Sequence, residues 1–201
     1  MIDHRRKFIF VENPKTATYS IKRALVGDEN LKNPNDPRVG TSNHNIPRVI
    51  KAIYPAEWRR YTKFVVVRNT WDRAHSFFEF YRNVAGSASY QSMAFDEWVA
   101  AGTPPPEEDH LRGPMRSDGR FDDVLCQLRY TREVDEIIVL HSFDHQRRCM
   151  ELKAGIERVC ALLGITVPSI PTDGNRHGRS TRPITWKRET IDSLGLNMRK
   201  R

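Results

Sequence analysis

Three short apolar runs stand out along this chain of 201 residues, at positions 8–11, 63–67 and 137–140. Each run is followed by a few polar residues and then by apolar residues that recur at helical spacing. Uninterrupted apolar runs of this length are typical of strands buried on both faces of a parallel sheet. The pattern therefore predicts an α/β fold with a central, mainly parallel sheet flanked by helices.

Apolar residues at helical spacing, with capping and breaking residues around them, predict the helices. Six helices are predicted, and the residues that indicate them are, in chain order, Ile21, Ala24 and Leu25; residues 47–55; Ala74, Phe77, Phe78 and Tyr81; Phe95, Trp98 and Val99; residues 121–130; and Ile156, Val159, Cys160 and Leu163. Gly164 is expected to end the last helix. We expect irregular loops at 27–42 and 102–119, and a small, polar, mobile loop at 86–92. No repeat or domain boundary interrupts the pattern, so residues 1–201 are predicted to form a single domain.

The first strand leads into the stretch with the strongest candidate chemistry. Asn13-Pro14 breaks the strand, Lys15 follows, and a helix begins within a few residues, with Thr16, Thr18 and Ser20 as candidate N-cap residues. A helix N-terminus with free amides and a nearby lysine can bind an anion. The alternative is an ordinary strand-to-helix turn with a surface lysine. The glycines of a Walker loop are absent, which disfavours a standard ATP or GTP site.

The second strand adds another cation. Arg68 ends this strand, and Ser76 lies in the following helix, off its apolar stripe. Ligands of parallel α/β sheets bind outside the carboxyl ends of the strands, so we expect Lys15 and Arg68 at one edge of the sheet. The alternatives are an ion pair of Arg68 with an acidic neighbour and a plain helix-surface role for Ser76. His44 precedes a helix start, where a capping or solvent-exposed histidine is the alternative to a catalytic one.

Composition narrows the classes of partner and compartment. The formal net charge of +8 and the pI of about 9.6 favour anionic partners, although basic residues at both ends account for part of the excess. The three cysteines, Cys126, Cys149 and Cys160, match no metal-ligand or disulfide pattern, and a reducing compartment fits them. No apolar run is long enough to span a bilayer or to form a signal region, so we expect a soluble, cytoplasmic protein.

The two strand–loop–helix stretches together resemble the sulfotransferase superfamily, in particular its small carbohydrate-type branch. Residues 14–20, Pro-Lys-Thr-Ala-Thr-Tyr-Ser, are similar to the Pro-Lys-Thr motif that follows the first strand in that family. Residues 67–76, Val-Arg-Asn-Thr-Trp-Asp-Arg-Ala-His-Ser, are similar to its Val-Arg-Asn-Pro-x-Asp-Arg motif with a serine in the next helix. The chain departs from the motifs at Ala17 and Tyr19, where glycine and a small hydroxyl residue are common, and at Thr70, which replaces proline.

The resemblance implies a three-layer P-loop-like fold and 3′-phosphoadenosine 5′-phosphosulfate (PAPS) as sulfuryl donor, with adenosine 3′,5′-bisphosphate as product. The acceptor would be a hydroxyl, at family level on a carbohydrate. No metal, no stable nucleic-acid partner and no membrane span are expected. The implied donor-binding residues are Lys15, Thr16, Ala17, Thr18, Tyr19, Ser20, Arg68, Ser76 and Arg179.

The resemblance also implies separate roles within this set. Lys15 would stabilise the phosphosulfate, while amides and hydroxyls of residues 16–20 cradle the same group. Arg68 and Ser76 would hold the 3′-phosphate, and Arg179 would close over the donor. His44 would be the general base on the acceptor hydroxyl.

Three other functions stay open from the sequence. A nucleotide kinase with an atypical loop would need magnesium and ATP, and no Walker glycines support it. A basic nucleic-acid-binding protein would account for the charge, although no nucleic-acid-binding motif is present. A catalytically inactive homologue that binds nucleotide would keep the motifs without the transfer reaction.

Overall fold

The computed structural model describes residues 1–27, 44–84, 86–104 and 126–169. These residues contain a four-stranded sheet whose spatial order follows the chain. The strands are β1 (Ile2–Asp3), β2 (Phe8–Val11), β3 (Thr62–Arg68) and β4 (Glu136–Leu140). β1 pairs antiparallel with β2, whereas β2, β3 and β4 are parallel neighbours. The predicted α/β class with a mostly parallel sheet is confirmed. Strand β1 was not predicted, because a strand of two residues gives no recognisable pattern in the sequence.

Eight α-helices surround the sheet in the part of the chain that the structure describes. They are α1 (Thr18–Val26), α2 (Pro47–Ile53), α3 (Pro55–Arg60), α4 (Thr70–Glu79), α5 (Ala88–Gln91), α6 (Phe95–Ala100), α7 (Leu128–Thr131) and α8 (His145–Leu163). A π-helical turn, Phe80–Val84, continues α4. Gly164 ends α8 in the left-handed conformation, as the sequence predicted.

Two sequence predictions need correction. The segment 86–92 was predicted to be a mobile loop, but it contains α5, because Tyr90 is buried among Phe78, Tyr81 and Trp98 and fixes the turn. The helix predicted over 121–130 begins only at Leu128 within the described residues. The loop predictions for 27–42 and 102–119 fall largely outside the described residues.

Alternation along the strands divides the core into two clusters, one on each face of the sheet. On one face, Phe10, Phe64 and Ile138 pack with residues of α1 and α8, among them buried Cys160. On the other face, Ile9, Val11 and Val65 pack with Ile50, Trp58 and Tyr130, which α2, α3 and α7 provide. A third cluster joins α4 to α5 and α6 around Phe78 and Trp98. The sheet is therefore held rigidly behind its carboxyl edge.

Close packing between α8 and β4 depends on one glycine. A Cβ placed on Gly155 would lie 2.3 Å from Cγ2 and 2.8 Å from Cγ1 of Ile138, both below any normal contact distance. Ile138 is buried and lies in the middle of β4, so neither Ile138 nor the helix backbone at Gly155 can shift to relieve the clash.

We expect Gly155→Ala to lower the free energy of unfolding by about 1–3 kcal/mol, the usual cost of overpacking, although alanine is the better helix former. Urea denaturation would measure the loss. In an Ile138→Ala background the same substitution should cost clearly less, because the clashing atoms are gone. An equal cost in both backgrounds would show that the two residues do not limit each other.

Candidate functional site

The loop after β2 has two non-glycine residues in the left-handed conformation and leads into the N-terminus of α1. Lys15 has a φ of 62° and Ala17 a φ of 66°, while the φ of Thr16 between them is not positive. Left-handed residues that alternate with right-handed ones form anion-binding nests of successive N–H groups, so these two left-handed residues make the loop a candidate nest. The N–H groups of Thr18, Tyr19 and Ser20 open α1 and donate to no described group. The loop therefore combines a candidate nest with the positive end of a helix.

The threonine hydroxyls of this loop point to the protein rather than outward. Oγ1 of Thr16 donates to the carbonyl oxygen of Asn13 at 2.8 Å, and Oγ1 of Thr18 donates to the same oxygen at 2.9 Å. Neither caps α1, whose N-cap residue is Ala17 with no side-chain hydrogen bond, so the predicted N-cap roles of Thr16, Thr18 and Ser20 are wrong. The two hydroxyls instead brace the turn, and backbone amides remain as its outward donors.

Lys15 is a half-buried cation without an anionic partner among the described residues. Its Nζ lies 4.4 Å from the centre of the Phe80 ring, a cation–π contact. Burial, and after it the charge of Arg68, lower the pKa of Lys15 from its ordinary value of 10.5 to about 8. An ammonium that is kept partly desolvated beside another cation is prepared to bind an anion.

Arg68 reaches across from β3 to the same loop, as the sequence predicted. Its Nη1 donates to the carbonyl oxygen of Lys15 at 3.0 Å, and its Nε pairs with Oδ2 of Asp72. The ion pair with an acidic neighbour, given above as the alternative, is therefore present. Arg148 of α8 contacts the same Asp72 oxygen at 3.0 Å, so the carboxylate is shared by two guanidinium groups. Nη2 of Arg68 makes no hydrogen bond to any described residue.

Another arginine, Arg73, holds the loop through a hydrogen bond to its backbone. Arg73 is fully buried in α4, and its Nε donates to the carbonyl oxygen of Pro14 at 3.0 Å. Its guanidinium lies 4.9 Å from the centre of the Phe77 ring. Arg68 and Arg73 thus hold two successive carbonyls of the loop, which fixes the orientation of the amides between them.

Side-chain amides replace a strand partner where β2 ends. Gln127 accepts from the Arg68 N–H at 3.0 Å and donates to the Arg68 carbonyl at 2.6 Å, as a neighbouring strand would. Asn13 donates from Nδ2 to the carbonyl of Val66 at 3.0 Å and to Oε1 of Gln127 at 2.9 Å. The two amides hold the end of β3 in place while the β2 chain turns away.

His44 lies at the same end of β2. Its Nδ1 is 3.0 Å from the carbonyl oxygen of Glu12, and because a carbonyl can only accept, Nδ1 carries a proton. In the neutral ring this assigns the lone pair to Nε2. The carboxylate of Glu12 is buried against Lys22, at 3.1 Å, and the amino group of Met1, at 2.8 Å. Burial alone would raise the pKa of Glu12, but these two cations outweigh it and lower the pKa to about 2.

The structure brings together most, not all, of the residues that the sequence singled out. Lys15, the amides of residues 16–20 and Arg68 form one cluster, and His44 lies at the adjoining end of β2. Ser76 lies one turn beyond Asp72 on α4 and makes no side-chain hydrogen bond to a described residue. Tyr19 is 47% exposed, and its backbone lies in the first turn of α1. Arg179 lies outside the described residues.

Several residues in the hydrogen-bond and charge network around Lys15 and Arg68 were not singled out from the sequence. Asp72 was covered only as an unnamed acidic neighbour of Arg68, because Arg68 ends β3 and the helical i,i+4 spacing does not apply across the turn into α4. Gln127 and Arg148 had no signal in the sequence, because their contacts join segments 59 and more residues apart. Phe80, whose ring lies 4.4 Å from Nζ of Lys15, had no sequence signal that distinguished it from the packing aromatics around it.

No family model matches this chain, and no curated protein or solved structure matches it significantly. The family resemblance given above therefore stays a prediction. Among the described residues, none of the helices is both long enough and apolar enough to cross a membrane.

The lowered pKa of Lys15 predicts that its charge costs stability. We expect Lys15→Met to raise the free energy of unfolding at pH 7 by roughly 1–2 kcal/mol, because one pKa unit corresponds to about 1.4 kcal/mol and the contact with Phe80 is lost. The unfolded chain holds more protons between about pH 8 and the ordinary lysine pKa of 10.5. Wild-type stability should therefore rise with pH across this window, and the advantage of the variant should shrink.

Lys22→Met is the matched control for that measurement. The Lys22 ammonium is buried against Glu12, so its removal should lower stability at pH 7 by leaving a buried carboxylate with one partner fewer. Urea denaturation of both variants at pH 7 and pH 10 would compare them. If Lys15→Met were destabilised in the same way as Lys22→Met, the Lys15 ammonium would have an anionic partner.

Ala17 predicts a second stability effect, which arises in the backbone. Its left-handed conformation costs a residue with a Cβ roughly 1–2 kcal/mol, while glycine loses about 0.5–1 kcal/mol more entropy on folding. Ala17→Gly should thus stabilise the protein by up to about 1 kcal/mol in chemical denaturation. Ala154→Gly, at an exposed position inside α8, should instead lose about 1 kcal/mol. Equal losses at both positions would argue against a strained Ala17.

Proposed function

We propose that this chain is a PAPS-dependent sulfotransferase with a three-layer P-loop-like fold, which transfers a sulfuryl group to a hydroxyl of a carbohydrate acceptor. The observation that carries the proposal is the half-buried Lys15 ammonium, which faces Arg68 across a nest of backbone amides and has no described anionic partner. A desolvated cation of this kind is stabilised when an anion binds. The similarity of residues 14–20 and 67–76 to the sulfotransferase motifs favours PAPS as that anion.

The residues at this edge of the sheet fit such a donor in chemical type. When bound, PAPS supplies a sulfuryl group that is activated by its link to a phosphate. Sulfuryl transfer resembles phosphoryl transfer, in which the protein mainly positions the groups and supplies positive charge. Lys15 and the amides of residues 16–20 provide charge and donors at the nest, without a metal ion. Their positions are fixed before binding, so little reorganisation is needed.

Arg68 and Ser76 are proposed to hold the 3′-phosphate. Arg68 offers Nη2 while its other groups stay on Lys15 and Asp72, and Ser76 offers a hydroxyl one turn farther along α4. An arginine that is held by its own neighbours loses little entropy when it binds a phosphate. Arg179 stays part of the proposal as the residue that closes over the donor.

His44 is proposed as the general base. Its protonated Nδ1 is held by the Glu12 carbonyl, so Nε2 is the atom that takes the proton from the acceptor hydroxyl. The Glu12 side chain is fixed by Lys22 and so keeps that carbonyl in place. The carbohydrate nature of the acceptor and a cytoplasmic location rest on the resemblance and on the sequence.

The proposal predicts transfer from labelled PAPS that depends on Lys15. Incubation of the protein with radiolabelled PAPS and a set of soluble carbohydrates should give a labelled product. Lys15→Ala should reduce the rate by about a hundredfold or more, because it removes the charge that is best placed to stabilise the transition state. His44→Ala should lower turnover while the affinity for adenosine 3′,5′-bisphosphate stays within about threefold of wild type.

Arg23→Ala is the matched control, because it removes a cation from α1 that lies outside the loop. Unchanged transfer in Lys15→Ala would refute the assigned role. Tight binding of the bisphosphate without transfer to any acceptor would favour the inactive nucleotide-binding homologue. Magnesium-dependent transfer from ATP would favour a kinase instead.

A further inference from the structure

The carboxylate of Asp72 is a potential weakness in an anion site, because it stands directly beside Arg68. The side chains of Arg68 and Asp72 are only 14% and 7% exposed, so solvent screens their charges poorly. A pair formed by these two alone would be neutral and would offer an incoming anion little attraction. A second cation on the same carboxylate changes that balance.

Arg148 supplies this second cation from a distant part of the chain. Its Nη1 lies 3.0 Å from Oδ2 of Asp72, and its side chain is 14% exposed. The same Nη1 donates to the carbonyls of Ser142, at 3.2 Å, and Phe143, which follow β4. The contact thus ties the carboxyl end of β4 and the first turns of α8 to the Arg68 site.

The charge count follows from these contacts. Arg68 and Arg148 carry two positive charges against one negative charge on Asp72, which leaves +1, and Lys15 raises the sum over the four side chains to +2. Glu79, the next carboxylate along α4, lies 3.9 Å from His75 and accepts from Asn83. Burial lowers the pKa of His75, so its ring adds no charge near neutral pH.

We propose that Arg148 is a positioning residue for anion binding, which offsets Asp72 so that Arg68 keeps its net positive charge for a dianionic phosphate group. Arg148 acts through Asp72 and needs no contact with the ligand. Its guanidinium shares the carboxylate, which then holds the geometry of Arg68 without cancelling its charge. The inference rests on the proposed function only for the identity of the ligand as a nucleotide.

A charge cycle tests the inference. Isothermal titration should show that Arg148→Gln weakens the binding of adenosine 3′,5′-bisphosphate by about tenfold, the scale of one charge roughly 12 Å from the ligand at an effective dielectric constant of about 20. Asp72→Asn should bind as tightly as wild type or more tightly. The double variant restores the net charge of the cluster, and its affinity should return to within about threefold of wild type. The salt dependence of binding should follow the same order.

Two further variants separate charge from folding. Arg148→Lys keeps the charge and should stay within about threefold of wild type, even if Arg148→Gln proves unstable by thermal melting. Arg147→Gln removes an equal charge from an exposed neighbour on the same helix and should have little effect. If the double variant bound no better than Arg148→Gln, or if Arg148→Gln bound like wild type, the inference would be overturned.

Pyrophosphate, titrated in parallel, distinguishes this inference from the proposed function. If pyrophosphate binds with the expected order of variants but the nucleotide does not bind, the nucleotide-based function fails and the charge balance stands. If the nucleotide binds and is used for transfer without dependence on Arg148, only the charge balance fails. If wild-type protein binds neither anion, both are overturned.

Discussion

The site depends on the mismatch in length between two parallel strands. Val11 of β2 pairs with Val65, so the last three residues of β3 extend past the end of β2. Backbone groups left without a strand partner must be satisfied in another way, and Asn13 and Gln127 do so with their side-chain amides. The β2 chain is thereby released to form the Lys15 loop, while Arg68 is held opposite it. Without this arrangement the two cations, 53 residues apart in sequence, would not share an edge.

The same region contains two features that cost stability. Lys15 is a partly desolvated cation beside another cation, and Ala17 occupies a conformation that favours glycine. Both costs are local, and the apolar clusters on the two sheet faces lie behind the loop and offset them. Natural proteins commonly tolerate such costs at functional sites, because binding recovers part of the energy. The desolvated Lys15 beside Arg68 is therefore an argument for a binding role at this loop that does not use the sequence motifs.

The parts of the fold that were predictable from sequence are those with local causes. The apolar runs gave β2, β3 and β4, and the carboxyl-end rule placed Lys15 beside Arg68, since both follow from patterns within a few residues. The hydroxyls of Thr16 and Thr18 were misjudged because the sequence does not reveal which carbonyl a side chain will find. Gln127 and Arg148 were missed because their partners are set by the tertiary fold. Local patterns predicted that Lys15 and Arg68 lie close together, whereas the hydrogen-bond network around them required the structure.

The residues at which the loop differs from the sulfotransferase motif affect the backbone conformation of the loop more than its number of N–H donors. Every residue except proline carries an N–H group, so a nest made of main-chain amides can keep its donors when a glycine is replaced by Ala17. The replacement adds strain but leaves the left-handed turn in place. The same argument applies to Tyr19, because it is about half exposed and its N–H is one of the unpaired amides of the first turn of α1. A cradle built in this way depends on backbone conformation, and Arg68 and Arg73 fix that conformation by holding the carbonyls of Lys15 and Pro14.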